Sequence, residues 1–585
     1  MSLKAVLLKN LLRQSRLSSY TPIVINYHRD YRYNNTGKEK KHNRNAIYAL
    51  LGSVIVGSAA NIKQKESKNR EKVEAGAKKQ GLPTYTAEEV SKHDNKKSFW
   101  VTYKYGVYDV TSFLPSHPGG EQIYNAAGLS IEPFWNVYGM HKTEEVYKLL
   151  ESYRIGNLHD DDVVDHSDDE LWAREPHRDP RLLVMTAKPF NAEIPPHLQV
   201  QNFDTPNELF YVRQHMPVPE LDAKEHRLRV VLVGDTTTVK EFSLEELQQF
   251  PAARLSAALM CAGNRRSEMN KVKPVKGLSW TTGAISNAQW GGVYLRDVLA
   301  HCGLDFAAVE GKHVIFTGSD IDATGVNFST SIPLYMALDP NAQILLATSM
   351  NGAPLPPDHG YPLRVVVPGA PAVRSVKWLQ SITISNEESG SHWHQKDYRS
   401  FNPTKTWETA DFPSAPPVYS LPVTAAACEP ADGATVAPVD GHIQVKGTSD
   451  TLLPSAPPVY SLPVTAAACE PADGATVAPV DGHIQVKGYA YSGGGAKILR
   501  VDVSSDRGRT WREAQLQCDA APPRTHYAWT LWTISMPVDG ACQMEIWVKA
   551  TDSNFNTQPE NFDDIWNIRG ILSNAYHRIK VNIKR

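Results

Sequence analysis

An eleven-residue block, Asp160–Glu170 (DDDVVDHSDDE), carries seven carboxylates. Like charges at that density repel one another and no apolar core takes them in, so the block predicts an extended, flexible linker. A chain interrupted in this way folds as separate bodies. Length agrees: 585 residues exceed what one core serves and suggest three or four domains. With 41% hydrophobic and 21% charged residues and a mean hydropathy of −0.38, the composition is that of a soluble globular protein. The formal net charge of −2 lacks the basic excess of a nucleic-acid binder. Thirteen Trp and 40 Pro suggest much β-structure and irregular loop.

Ahead of the acidic block lie two unlike regions. Residues 1–29 hold Lys4, Lys9, Arg13, Arg16 and Arg29 with no acidic residue before Asp30, and Leu3, Val6, Leu7 and Leu11 suit the apolar face of a basic amphipathic helix. That is a presequence of mitochondrial type. The uncharged stretch from Ala46 to Ala60 is short for a membrane span, which needs about 20 residues. Together the two predict a bipartite signal for the mitochondrial intermembrane space, with a retained membrane anchor as the alternative. Residues 61–80 read as a solvated tether, closing a leader region of residues 1–80. Residues 82–159 predict a small folded domain, with a hairpin over Ser98–Asp109 turning at Gly106 and short helices near Glu121–Ala127 and Thr143–Ser152. A domain this small often needs a cofactor to hold it together.

Beyond the linker, taken as residues 160–171, residues 172–412 mix helix and strand signals and predict one large α+β core. Arg227–Val233 and Leu363–Val367 read as strands; Ser243–Phe250 reads as a helix opened by a Ser with Glu three residues on. Residues 413–585 turn to alternating strands, His442–Lys446, Ile498–Ser504, Thr530–Met536, Glu545–Ala550 and His577–Ile583, the pattern of an immunoglobulin-like β-sandwich. Within it residues 413–447 recur without a change at 454–488, an offset of 41. Architectural repeats diverge, so an identical copy points to a recent duplication or a gene-model error. One sandwich has strand slots for one copy, and the expectation is that one copy, or a hybrid of the two, is an extruded loop.

Two motifs carry chemistry. His117-Pro118-Gly119-Gly120 predicts a tight turn that holds an imidazole rigidly, and His141 follows in FWNVYGMH. Two neutral imidazoles face to face clamp a haem iron from both sides and leave no open position for substrate. With the apolar stretch Phe134–Tyr138 between them, the pair resembles the cytochrome b5 family. The six cysteines form neither a CxxC pair nor a disulfide framework, and only Cys261 has a reactive neighbourhood, CAGNRRS. Two adjacent arginines favour its thiolate, and a soft thiolate suits a metal.

From Leu82 onward the chain resembles the animal-type sulfite oxidase family. The matching stretches are FYVRQHMPVP (210–219), CAGNRRSEM (261–269), VKGLSWTTGAIS (275–286), DHGYPLRVVVPG (358–369), SVKWL (375–379), HWHQKDYRSF (392–401) and IWNIRGILSNAYHR (565–578). The resemblance implies a molybdenum-molybdopterin centre and haem b, with Cys261 ligating molybdenum and His117 and His141 the haem iron. It places Phe210, Tyr211, Val212, Arg213, Gln214, Asp320, His359, Arg364, Ser375, Val376 and Lys377 around the pterin. It assigns Arg213, Arg266, Trp280, Tyr398 and Arg569 to the substrate pocket, where guanidinium forks suit a small oxyanion. It implies oxidation of sulfite to sulfate, electrons leaving singly through the haem to cytochrome c, the acidic linker acting as a hinge, and homodimerisation through the C-terminal domain.

The chain departs from the family in the tandem copy, which lies between Tyr398 and Arg569, and at Thr348, where relatives often carry an aromatic. Two alternatives stand beside this reading. A nitrate reductase-like molybdoenzyme would place its haem after the molybdenum domain and a flavin domain after both, which is not the order here. A non-catalytic haem protein would follow if the duplication disabled the molybdenum domain.

Overall fold

The structure, a computed structural model, describes residues 74–117, 120–137, 141–164, 172, 174–233, 237–306, 313–322, 325–421, 427–429, 465–466, 475–538 and 540–584. The presequence, the apolar stretch at residues 46–60 and most of the acidic block lie outside them. No helix among the described residues is long and apolar enough to cross a membrane. The described chain divides into two compact units, residues 74–131 with 141–164 and residues 132–137 with 172–584.

The first unit is built on a five-stranded sheet in the order Thr84–Tyr85, Arg154–Leu158, Gly106–Asp109, Ser98–Tyr103, Asp94–Asn95. Its aromatic and β-branched strand residues bury Phe99, Val101, Val107 and Tyr108. The hairpin is where the alternation puts it, but its turn is at Lys104-Tyr105, with Lys104 at φ 49°, and Gly106 already pairs with Tyr103 in the second strand. A side chain on Gly106 would meet the Tyr108 ring, which explains that glycine better than a turn does. The predicted helix near residue 121 is a 3-10 helix, Gly120–Ala126, whereas Glu144–Glu151 is α-helical with Thr143 as its N-cap.

Both edges of this unit reach further than composition indicated. In the predicted tether, Gly76 donates its backbone N–H to Glu151 at 2.9 Å and Lys79 pairs with the same carboxylate at 2.6 Å. The acidic block begins as a 3-10 turn, Asp160–Asp162, in which Asp160 pairs with Lys78 at 2.7 Å and Asp162 accepts from the Ala87 N–H at 2.9 Å. Asp160 and Asp162 therefore dock on the folded unit instead of spanning from it. Residues 165–171 lie outside the described set.

The second unit holds four larger sheets. One runs Thr238–Phe242, Leu228–Leu232, Leu379–Ser385, His313–Ile321, Asn327–Pro333; a second runs Ala252–Met260, Ile285–Tyr294, Leu345–Met350, Ala353–Pro354, with Arg364–Val366 also on Leu345–Met350. Ser243 and Glu246 form the predicted capping box, on the short helix Leu244–Leu247. The long pairing of Ala252–Met260 with Ile285–Tyr294, nine residues in register, fixes where the chain emerges at Cys261.

The last two sheets close on one apolar core. His483–Tyr491 and Thr530–Pro537 form the centre of one; Ile498–Ser504, Gln543–Asp552 and His577–Ile583 form the other. Val486, Tyr489, Val501, Trp529, Ile546 and Val581 are buried in a single cluster between them. Here the repeat is used as a hybrid. The first copy supplies Ala415, Val418 and Leu421, all buried, and the second supplies His483 to Gly488, the first six residues of the strand His483–Tyr491. Along the edge of His483–Tyr491, Thr465 and Ala466 of the second copy pair with Tyr491 and Ala490, and Ala427 of the first copy pairs with Gly488. The offset of 41 makes Ala427 the twin of Ala468, the residue that would reach Gly488 in continuous register. Both copies thus address one strand slot, each filling an end of it. The extruded loop expected from sequence, with His442–Lys446, falls outside the described residues.

Candidate active site

Cys261 is the first residue past the strand Ala252–Met260, held by its N–H to the Ala284 carbonyl at 2.9 Å. It is a free, buried cysteine, 6% exposed, packed with Tyr211 and Trp280. The two arginines after it part company. Arg265 sits in the left-handed region at φ 61° and sends its guanidinium to Glu268, at 2.7 and 2.6 Å, and to the Ala575 carbonyl. Arg266 turns the other way, toward Cys261. Its Nε donates to the Gly570 carbonyl at 2.9 Å and its Nη1 to Leu278, and Arg213, Tyr398 and Arg569 are its electrostatic neighbours. Burial pulls the Arg266 guanidinium down, and Cys261 works against that shift. Gly277, at φ 130°, gives this guanidinium room, since a Cβ there would lie 2.6 Å from Nη1.

Cys261 opens on a cavity with about 710 Å³ of empty space including its mouth. Of the residues assigned to the pterin by resemblance, Phe210, Tyr211, Arg213, Gln214, Asp320, His359, Arg364, Ser375, Val376 and Lys377 line it, as does Tyr398. Val212 does not. It occupies the strand Val212–Arg213, where neighbouring side chains face opposite ways, and is buried with Leu182, Ala192 and Ile194. Trp280 is fully buried beside Cys261 but is not part of the lining, so it backs the site instead of walling the cavity. Arg569 is also outside the lining; its Nη2 is paired with Asp397 at 2.7 Å, and its carbonyl accepts from Arg266.

The cavity suits a large anionic ligand. Arg213, Arg364 and Lys377 face it against the carboxylates of Asp320 and Asp358, with Arg266 close behind. The Arg364 guanidinium is buried and aimed by the carbonyls of His359 at 2.9 Å and Ser375 at 2.8 Å. Gly360, at φ 107°, lets Arg364 and Lys377 sit side by side, for a Cβ would come within 3.0 and 3.1 Å of them. Lys377 Nζ reaches the Arg213 and Asp358 carbonyls and Gln214 Oε1. Burial raises the Asp320 carboxyl, with Lys377 opposing, and lowers the Lys377 ammonium. Asp320 Oδ1 is buried without a hydrogen-bond partner, an acceptor set on the cavity wall for a ligand donor. Burial takes His359 down to about 3, so it is a neutral imidazole. A phosphorylated, multiply hydrogen-bonding pterin fits these donors and acceptors, and the Cys261 sulfur fits its metal.

Tyr398 comes to the cavity on a π-helical turn, Trp393–Asp397, a distortion frequent at functional sites. Its hydroxyl lies 3.4 Å from His215 Nε2. Burial pushes the phenol up to about 12, with Arg213 pulling it down and Cys261 adding to the rise. Sequence reasoning passed over two titratable lining residues, His215 and Asp358. Both were legible as immediate neighbours of assigned positions, His215 after Gln214 and Asp358 before His359.

In the first unit the rings of His117 and His141 are nearly parallel, 8° apart, with centroids 6.2 Å from each other. An iron midway between two imidazole nitrogens, each about 2 Å from the metal, needs a centroid separation of roughly 6 Å. The pair fits a haem iron.

Family comparisons match the same regions: cytochrome b5-like heme/steroid binding domain at residues 86–159, oxidoreductase molybdopterin binding domain at 215–393, and Mo-co oxidoreductase dimerisation domain at 456–584. The mitochondrial sulfite oxidase of Drosophila melanogaster is 45% identical, over 86% of this chain and 81% of its own. The sulfite oxidase of Gallus gallus is 44% identical, over 85% of this chain and 99% of its own. In fold alone, the sulfane dehydrogenase SoxCD of Paracoccus pantotrophus is similar, with a TM-score of 0.51 at 22% identity, covering 72% of this chain and 93% of that one. A bis-histidine pair and a cation-rich cavity that holds a buried cysteine thus stand on one chain, and the chain belongs to the sulfite oxidase family.

Proposed function

We propose that this chain oxidises sulfite to sulfate at a molybdenum-molybdopterin centre held by Cys261, and passes the electrons singly through haem b, held by His117 and His141, to cytochrome c in the mitochondrial intermembrane space. The observation that carries the reading is the opening of a buried cysteine onto the same cavity as Arg213, Arg364, Lys377 and Tyr398, with Arg266 beside it. When bound, the molybdenum centre supplies the two-electron redox step that no side chain provides. The residues do the rest. Arg364, Lys377 and Asp320 hold the pterin; Arg266 and Arg213 draw in the sulfite dianion, and Arg569 stands behind Arg266, aligned by Asp397. Trp280 keeps water from the sulfur side of the site. Tyr398, a phenol at neutral pH, offers a hydrogen bond to the reacting oxygens.

The C-terminal sheets are read as an immunoglobulin-like β-sandwich that carries homodimerisation. The acidic block is read as the hinge that lets the haem domain approach the molybdenum domain, its free part beginning after Asp162. The basic, acid-free start of the chain supports mitochondrial import.

The test is the purified full chain and its Cys261→Ser variant. The parent contains molybdenum and haem, and sulfite reduces its haem. Cys261→Ser keeps the haem spectrum and loses sulfite-driven reduction by at least a hundredfold. A variant that still reduces its haem with sulfite refutes the assignment of the thiolate.

A further inference from the structure

We infer that His215 is the proton-accepting partner of Tyr398, a positioning residue that takes the phenol proton during turnover. His215 lines the same cavity as Cys261 and Tyr398, and its Nε2 lies 3.4 Å from the Tyr398 hydroxyl. The ring is clamped. It stacks on Phe328, with centroids 5.1 Å apart and planes 24° apart, and meets Trp393 edge-on at 6.2 Å. Two aromatic walls thus hold the plane of the imidazole, and in that plane Nε2 is turned toward the phenol. Phe328 and Trp393 come from the strand Asn327–Pro333 and from the π-helical turn that ends at Tyr398, so the elements that carry the phenol also fix the histidine.

The charges facing His215 agree. Burial, and after it the charges of Arg213 and Lys377 on the cavity wall and of His392, hold the imidazole well below its ordinary value. It is therefore neutral at pH 7, with a lone pair to accept a proton, while Tyr398 stays a phenol and donates. His392 is tilted against Trp393, 3.8 Å between centroids, with Asp322, Asp397 and Lys396 as its electrostatic neighbours.

The inference rests on the sulfite oxidation proposed above. That reaction consumes one sulfite and one water and yields one sulfate, two electrons and two protons. The electrons leave through the haem. In the relay, a water-derived proton bonds to the Tyr398 oxygen as the phenol's own O–H bond breaks toward His215 Nε2. The tyrosine is unchanged in sum, and the imidazolium gives its proton to solvent.

The test uses the full-length holoenzyme with His215→Gln, which keeps a hydrogen bond but carries no proton, and His215→Phe, which keeps the ring stack. Stopped-flow haem reduction by sulfite slows at least tenfold in both, with KM for sulfite within twofold of the parent. The parent rate falls in acid with a midpoint below pH 6.5, and the variants lack that limb. A His215→Gln enzyme at parental rate with the acid limb intact overturns the inference, because the residue then only fills space. A readout independent of activity is the 19F resonance of 3-fluorotyrosine placed at position 398. It shifts with a midpoint below pH 6.5 in the parent and not in His215→Gln; a parent without that step equally overturns the inference. A parent whose haem sulfite leaves oxidised, yet whose 19F step is present, refutes the sulfite reading and leaves the His215–Tyr398 contact standing.

Discussion

Because residues 413–447 and 454–488 are identical, removing any 41 consecutive residues that begin between 413 and 448 yields one and the same shorter chain. That deletion tests whether the sandwich uses one copy or two. In the full chain the strand slot beside His483–Tyr491 is filled from two places, Ala427–Glu429 and Thr465–Ala466, and the chain between them, residues 430–464, must close on itself for both ends to dock. Closing a loop of n residues costs about (3/2)RT ln n, which for 35 residues is roughly 3 kcal/mol. In the shortened chain Thr424 to Glu429 run on as one strand, with Thr424 opposite Tyr491 and Ala427 opposite Gly488, the register both fragments already keep. Of the 41 residues removed, 35 have an identical twin that stays; the other six, Thr448–Leu453, lie outside the described residues. A gain of about 3 kcal/mol raises the melting temperature of a domain this size by about 6–12 °C. Thermal unfolding followed by the fluorescence of the sandwich tryptophans, Trp529 and Trp532 among them, reads this directly, and sulfite-dependent haem reduction shows whether Arg569 still reaches Asp397. A shortened chain that melts at or below the parental temperature refutes the reasoning, because the second copy would then hold structure that the first does not duplicate.

Shortening the acidic block by deleting residues 165–169 slows haem reduction by the reduced molybdenum centre at least fivefold, while single-turnover reduction of that centre by sulfite is unchanged; flash photolysis and stopped flow separate the two. Deleting Asp160–Asp162 instead lowers the stability of the haem domain, since Asp160 pairs with Lys78 and Asp162 accepts from the Ala87 N–H. The ion cluster of Glu388, Arg399 and His394 predicts an acid-sensitive contribution to folding. Burial works to raise the Glu388 carboxyl, but the Arg399 and His394 contacts outweigh it and hold it at about 2, below its ordinary 4.5. A carboxyl depressed on folding contributes stability that is complete above about pH 4.5 and is lost as pH falls toward 2. Glu388→Gln therefore flattens the acid limb of the stability profile in that window, measured by urea unfolding at stepped pH, and an unchanged limb excludes the pair as its source.

Which parts of this were legible in the sequence follows from how each residue's position is determined. The sandwich strands Ile498–Ser504 and His577–Ile583 read off residue by residue, because alternation on a half-buried sheet leaves one register that buries the apolar face. The turn at Lys104-Tyr105 did not, because the glycine that draws the eye, Gly106, is needed for contact with Tyr108 and the positive φ falls on a lysine. The tether and the acidic block misled for a related reason: composition reports average solvation, and a single ion pair such as Lys78–Asp160 docks charged residues that the average assigns to solvent. At the site, motif residues come to the cavity where a side chain has one way to go, as with Cys261 at a strand end and Arg364 between two carbonyls. Direction that depends on backbone sign or strand parity is not written in a motif. Val212 faces away from the cavity by parity alone. Arg265 and Arg266 are identical neighbours in the motif, yet a left-handed φ at the first sends it to Glu268 and leaves the second to face the sulfur. A motif names the residue types a reaction needs. Which of two like residues reaches the reacting atoms is decided by one backbone torsion, so exchanging Arg266 for Lys bears on sulfite binding, while the same exchange at Arg265 bears on folding.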